Sequence, residues 1–177
     1  MNRAIFLDRD GVINNIVIVN GLPTSPSNFE EFKILPRVKE SILNLKELNF
    51  YCILVTNQPD VSRGKIEKET VIKMNEYIKK ELKLSDVFVC FHDDKDNCEC
   101  RKPKPGLILN ASKKWNIDLK KSYMIGDRWK DIDAGKSSGC KTILIDNKYK
   151  EGIKSKPNYI SKDLYDAVKI IVKNEKY

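Results

Sequence analysis

Two hydrophobic periods alternate along this chain, and that alternation constrains its fold more than any other feature. Short apolar runs, Ala4 to Leu7, Tyr51 to Val55, Val87 to Cys90, Tyr123 to Ile125 and Thr142 to Ile145, are each bounded by Asp, Asn or Gly, as buried strands are. Between them Val38, Ile42, Leu45 and Leu48 form one helical stripe, Val71, Met74, Ile78 and Leu82 a second, and Leu107, Ile108 and Ala111 part of a third. Parallel strands need long crossovers, and helical crossovers cover the sheet. The pattern therefore predicts a doubly wound, mainly parallel α/β sheet with helices on both faces. A last stripe, Leu164, Val168 and Ile171, follows Asp163, a side chain suited to cap a helix N-terminus. Residues 14–35, with Gly21, Pro23 and Pro26, read as a functional loop or short hairpin rather than a linker.

At 177 residues, with no internal repeat and no break in composition, the chain is expected to be one unit spanning 1–177. A chain of this length buries about two thirds of its unfolded surface and needs no staple merely to fold. No apolar run approaches the ~20 residues that span a bilayer. The first residues enter a strand pattern at once, without a basic segment and long apolar core, so the expectation is a cytoplasmic chain with no membrane partner. The formal charge is +8, yet Lys79, Lys80 and Lys113 fall at solvent positions of helices, and aromatic residues do not interleave with basic ones. A solvated basic surface is the expectation, not a nucleic-acid platform.

The polar residues at the strand ends carry the chemistry. Ligands of a parallel sheet sit beyond the carboxyl ends of its strands, and the first strand ends there in Asp8-Arg9-Asp10-Gly11. One such carboxylate can attack while the other, its pKa raised by crowding, carries a proton; a strand-end Asp can equally cap a turn. The second strand closes with Thr56 and Asn57, donors suited to an anion's oxygens. Gly126-Asp127 adds a third carboxylate at the same edge, and Asp8, Asp10 and Asp127 together call for a cation such as Mg²⁺. Lys102 supplies a point charge suited to a phosphoryl group. Asp131, one helical turn beyond Asp127, either orients the metal shell or caps the helix, and it is left outside the expected site.

Cys90-x-His92 and Cys98-x-Cys100 bring three thiols and the only histidine into one loop ahead of Arg101-Lys102-Pro103. The set matches a closed structural Zn²⁺ site. A catalytic Cys/His pair would leave two cysteines idle, and a redox pair would not need the histidine. Cys52 and Cys140 read as packing cysteines.

The four motifs D-x-D-G-V-I-N, apolar-apolar-T-N, R-K-P-x-P-G and G-D-x-x-x-D occur in this order and cover residues 4 to 145. Together they strongly resemble the haloacid dehalogenase superfamily of Mg²⁺-dependent phosphatases. The resemblance implies that Asp8 is the nucleophile forming an aspartyl-phosphate and Asp10 the general acid and then base. It also implies that Thr56 and Lys102 hold the transferring oxygens, with Asn57 and Gln58 beside them, and that Asp8, Asp127 and the Asp10 carbonyl hold Mg²⁺. Within the superfamily, C-x-H…C-x-C directly before R-K-P-x-P-G resembles the subgroup acting on heptose bisphosphate and histidinol phosphate. There the zinc is structural, Arg101 meets the substrate, and Arg128 stands where a basic substrate contact is placed.

Asp8 and Thr56 are 48 residues apart and Thr56 and Lys102 are 46 apart, too few for a folded cap. The implied protein is a capless, monomeric phosphatase of a small sugar phosphate. Two departures fall on the substrate side: the family's T-N-Q-S-G becomes Thr56-Asn57-Gln58-Pro59-Asp60, and the 14–35 loop is longer than expected. A receiver-like phospho-accepting module is the rival from another class, and Asp10 separates the two, since a receiver needs no acid/base there.

Overall fold

A computed structural model describes residues 1–149 and 154–175. Strand β1 (Arg3–Leu7), buried from Ala4 onward, lies near the centre of a six-stranded sheet. It pairs in parallel with β4 (Phe50–Asn57) on one side and β6 (Tyr123–Gly126) on the other, with Ile5 level with both Cys52 and Tyr123. β5 (Asp86–Cys90) extends the sheet beyond β4, and β7 (Lys141–Ile145) and β8 (Tyr159–Ser161) extend it beyond β6. All five pairings are parallel, so every strand delivers its carboxyl end to the same edge. The five strands foreseen from the apolar runs are all present. The sixth, β8, was not foreseen, because its three residues Tyr-Ile-Ser carry no period and only pairing with β7 makes them a strand.

Side chains alternate across β1 and split the core in two. Ile5 and Leu7 face α1 (Val38–Glu47), α2 (Lys68–Glu81) and α5 (Leu164–Glu175). Ala4 and Phe6 face α3 (Gly106–Trp115) and α4 (Trp129–Ser138). The stripe residues Val38, Ile42, Leu45, Met74, Ile78, Leu107, Ile108 and Ala111 are all buried, as periodicity requires. Asp163 caps α5, accepting the Asp166 amide at 2.7 Å. Among the described residues no helix is long and apolar enough to cross a membrane.

The 14–35 segment contains a hairpin of β2 (Val17–Val19) and β3 (Leu22–Thr24), turned by Asn20 and Gly21 at φ 52° and 78°. Two positive φ values at the turn suit Asn-Gly and match the twist of a two-residue hairpin. Between β1 and β4 the chain forms only this hairpin and α1, and between β4 and β5 only α2.

The edge opposite the carboxyl ends is fastened by Asp86. Its carboxylate accepts from Lys114 Nζ at 2.7 Å, Trp115 Nε1 at 2.9 Å and the Val87 amide at 2.9 Å, tying α3 to β5. Burial pushes its pKa up, but these donors outweigh burial and bring it below the usual aspartate value. Its folded pKa thus lies under the unfolded one, so the stabilisation is complete above about pH 3.9 and is lost as pH falls through the folded value. Asp86→Ala is expected to cost about 1–3 kcal/mol in urea unfolding at neutral pH by leaving the indole and amide unpaired, and the difference from the parent should shrink as pH drops below 4.

Candidate active site

The three strand ends and the Lys102 loop anticipated from the sequence do meet. Lys102 enters the carboxyl-edge cleft from the loop after β5 and is 2% exposed. Its ammonium has three donors and all are engaged: Asp8 Oδ1 at 2.7 Å, Asp131 Oδ1 at 2.6 Å and the Val55 carbonyl at 2.9 Å. These partners raise its pKa against the downward pull of burial. Asn57 grips the same residue by its backbone, donating to the Lys102 carbonyl at 3.0 Å and accepting the Lys102 amide at 3.1 Å. Both polar ends of the Asn57 amide are therefore spent on placing Lys102.

Asp8, Asp127 and Asp131 gather with carboxylate oxygens within 4.8 Å of one another. Asp131 thus joins the cluster, and it also caps the helix. Its Oδ2 accepts the Arg128 amide at 3.0 Å at the start of α4, while Oδ1 pairs with Lys102. Three carboxylates against one ammonium leave excess negative charge. Burial and Asp131 accordingly push Asp8 up to about 7, opposed by Lys102. Burial, Asp8 and Asp131 push Asp127 well above its ordinary value. Asp127 Oδ1 is buried without a hydrogen-bond partner among the described residues, whereas Oδ2 accepts from Tyr149 Oη at 2.7 Å and Asn147 Nδ2 at 3.1 Å. A negative cluster with a free buried carboxylate oxygen fits a hard dication.

Asp10 has a different environment. Its carboxylate accepts from Asn14 Nδ2 at 2.9 Å, Ser25 Oγ at 2.8 Å, Gln58 Nε2 at 2.8 Å and the Arg9 guanidinium at 3.1 Å. Burial pushes its pKa up, yet Arg9 and the three neutral donors outweigh burial and bring it below the ordinary value. The expectation that crowding raises the proton carrier of the pair is corrected: Asp8 is raised and Asp10 lowered. The reason is Arg9, fully buried, which also donates to Gln58 Oε1 at 3.0 Å and Asn75 Oδ1 at 3.2 Å and so bolts the end of β1 to α2. Gln58 also donates to Thr56 Oγ1 at 3.0 Å. The Thr56 hydroxyl thus keeps its own proton to donate. Ser25 links Asp10 to the β2–β3 hairpin, beside a groove of about 200 Å³ lined by Val17, Thr24, Glu31, Asp60 and Lys65.

In the cysteine loop Cys90, Cys98 and Cys100 Sγ atoms lie 3.2–3.7 Å apart, and His92 Nδ1 lies 3.6 Å from Cys90 and 3.4 Å from Cys100. A tetrahedral Zn–thiolate site with bonds of about 2.3 Å has sulfur–sulfur edges of about 3.8 Å. The four donors therefore converge as one closed set. Burial pushes the Cys98 thiol up, but hydrogen bonds from Cys100, the Arg101 amide and Cys90 bring it down to about 7. Arg101 is held inside the loop, by Asp94 at 2.8 Å and the His92 carbonyl at 3.3 Å. Arg128 stands at the N-terminus of α4 with extended backbone. Gly106 lets α3 start directly against the loop, for a Cβ there would overlap the Glu99 carbonyl.

Sequence reasoning missed Arg9, Ser25, Asn147 and Tyr149. Arg9 sat between two obvious aspartates and gave no periodic signal. The other three lie on irregular segments that only folding brings to the strand ends. Asp131 alone had a legible signal, its spacing from Asp127.

A parallel sheet that delivers paired carboxylates and a buried lysine to one edge defines a phosphoryl-transferring α/β hydrolase. The HAD-hydrolase-like family profile matches residues 99–167. The chain is 37% identical to D-glycero-beta-D-manno-heptose-1,7-bisphosphate 7-phosphatase of Helicobacter pylori strain J99 over 81% of this chain and 83% of that one. It is 32% identical to the protein of the same name from Pasteurella multocida over 97% of both chains. The fold is similar to a D,D-heptose 1,7-bisphosphate phosphatase from B. bronchiseptica complexed with magnesium and phosphate, with TM-score 0.83, 24% identity, and coverage of 97% and 99%. The chain belongs to the haloacid dehalogenase (HAD) superfamily, and it is a phosphatase.

Gly11 offers a check on the cluster. At φ 77° it turns the backbone away from Asp10, and a Cβ there would overlap Asp127 Oδ2. Gly21 has nearly the same φ, 78°, with nothing within 4 Å, so both alanine variants carry the backbone strain and only one carries the collision. Gly11→Ala is expected to lower stability by about 1–3 kcal/mol more than Gly21→Ala in chemical denaturation.

Proposed function

We propose that this chain, working as one capless unit, removes the 7-phosphate of D-glycero-D-manno-heptose 1,7-bisphosphate through an aspartyl-phosphate on Asp8. The observation that carries the chemistry is Asp8 in contact with a buried lysine, inside a carboxylate cluster whose Asp127 keeps one oxygen without a hydrogen-bond partner among the described residues. The substrate follows the relatives of that name, one of them similar along 97% of both chains.

Asp8 attacks phosphorus and the bond to the sugar oxygen breaks. An arriving phosphoryl oxygen takes the Lys102 donor now given to Asp8, which frees the carboxylate as nucleophile and leaves the ammonium on the developing charge. Asp131 keeps Lys102 at that position, and the Thr56 hydroxyl donates to a second oxygen. Asp10 gains its proton as the substrate dianion arrives, since new negative charge nearby disfavours a carboxylate, and passes it to the leaving alkoxide. In the second half Asp10 takes a proton from water, the water oxygen attacks phosphorus, and Asp8 leaves as carboxylate with inorganic phosphate. Asp8, Asp127 and the Asp10 carbonyl would hold Mg²⁺, which when bound neutralises phosphoryl charge. Arg101 and Arg128 recognise the rest of the anionic sugar, Arg101 by exchanging Asp94 for it. Cys90, His92, Cys98 and Cys100 would hold Zn²⁺, which when bound would brace the loop carrying Arg101 and Lys102.

Phosphate release from heptose 1,7-bisphosphate should exceed that from histidinol phosphate by orders of magnitude, and the reverse order would overturn the substrate. Asp10→Asn should reduce kcat by about 10²–10⁴ with the circular dichroism spectrum unchanged; full turnover in that variant refutes its role. For the loop, Cys98→Ser is expected to lose zinc in elemental analysis and raise KM together, while Cys52→Ser keeps both.

A further inference from the structure

We propose that Asn147 and Tyr149 are positioning residues that hold Asp127 to coordination through a single oxygen, and that they thereby set a preference of this centre for Mg²⁺ over Ca²⁺. The inference rests on the metal reading above.

Both residues lie beyond β7, on a segment no motif includes. Their polar groups converge on one atom, Asp127 Oδ2: Tyr149 Oη donates to it at 2.7 Å and Asn147 Nδ2 donates to it at 3.1 Å. The Asn147 amide is itself anchored, its second N–H donating to the Gly11 carbonyl at 3.1 Å, with Tyr149 Oη 3.2 Å away. On the remaining side the Gly11 backbone packs so close to Oδ2 that a side chain would not fit. The carboxylate is thus prevented from turning, and the oxygen left over, Oδ1, is buried with no hydrogen-bond partner among the described residues. Asn147 and Tyr149 are also uncharged. They orient the carboxylate without cancelling the charge a cation needs, unlike Lys102, which pairs with Asp8 and Asp131.

The consequence depends on how the two ions use carboxylates. Mg²⁺ demands near-ideal octahedral geometry at about 2.0–2.1 Å, which one oxygen per carboxylate satisfies. Ca²⁺ takes about 6–8 oxygens at longer distance and readily accepts both oxygens of one carboxylate. With Oδ2 committed to two hydrogen bonds, two-oxygen binding by Asp127 requires breaking both. That requirement penalises Ca²⁺ and leaves Mg²⁺ unaffected.

Calorimetric titration of the full, metal-free chain with MgCl₂ and separately with CaCl₂ tests this without any substrate. The wild-type chain should bind Mg²⁺ more tightly. Tyr149→Phe, which removes one oxygen atom and keeps the ring, should lower the Mg²⁺-to-Ca²⁺ affinity ratio about tenfold or more. Asn147→Ala should move the ratio in the same direction. A residue that merely supports the fold would weaken both ions alike, so an unchanged ratio in Tyr149→Phe, with Mg²⁺ still bound by the wild type, overturns the positioning role alone. A wild-type chain that takes up neither ion overturns the metal reading beneath it.

Discussion

The ammonium of Lys102 is the point through which the rest of the site is connected. Burying a charge is costly unless its hydrogen bonds are met and opposite charge is close. Here all three donors are used, and each partner belongs to a different element: Asp8 follows β1, Val55 lies in β4 and Asp131 in α4. Removing the lysine would leave two buried carboxylates facing each other. Displacing it would uncover the same repulsion, so the loop that carries Lys102 has to be rigid, which explains the effort spent on that loop. Asn57 clasps its backbone, Gly106 lets α3 begin directly against it, and four metal-type donors close its far end.

Two neighbouring aspartates on one strand end acquire opposite characters from their surroundings. Asp8 faces other carboxylates in a buried cluster, and its proton affinity rises because positive charge is in deficit there, a deficit that a bound dication would make good. Asp10 faces a buried guanidinium and three neutral donors, and its proton affinity falls. The difference follows from the partners each side chain meets beyond the strand. Arg9, between them, is spent on making one environment positive.

The fold was legible because periodicity is a local property. Strands bounded by Asp, Asn or Gly and helices with buried stripes could each be read within about a dozen residues, and their alternation left few topologies. The failures were local too. β8 has only three residues and no period, so nothing in its own sequence separates it from a turn. The candidate site was legible where its residues sit at strand ends inside spaced motifs: Asp8, Lys102 and Asp127 converge, as do the four loop donors, and Gln58 bridges Thr56 and Asp10.

By itself the sequence determined the layered parallel sheet and the residue types gathered at its carboxyl edge. It did so because hydrophobic period and strand direction decide where strand ends go. Which way each side chain turns after arriving there was decided only in three dimensions. Asn57 and Gln58 hold Lys102 and Asp10, Arg101 lies against Asp94, and Asn147 and Tyr149 reach Asp127 from 20 and 22 positions away in sequence. Hydrogen bonds and pKa values depend on distances of a few ångströms between segments remote in the chain, and no local pattern encodes those distances.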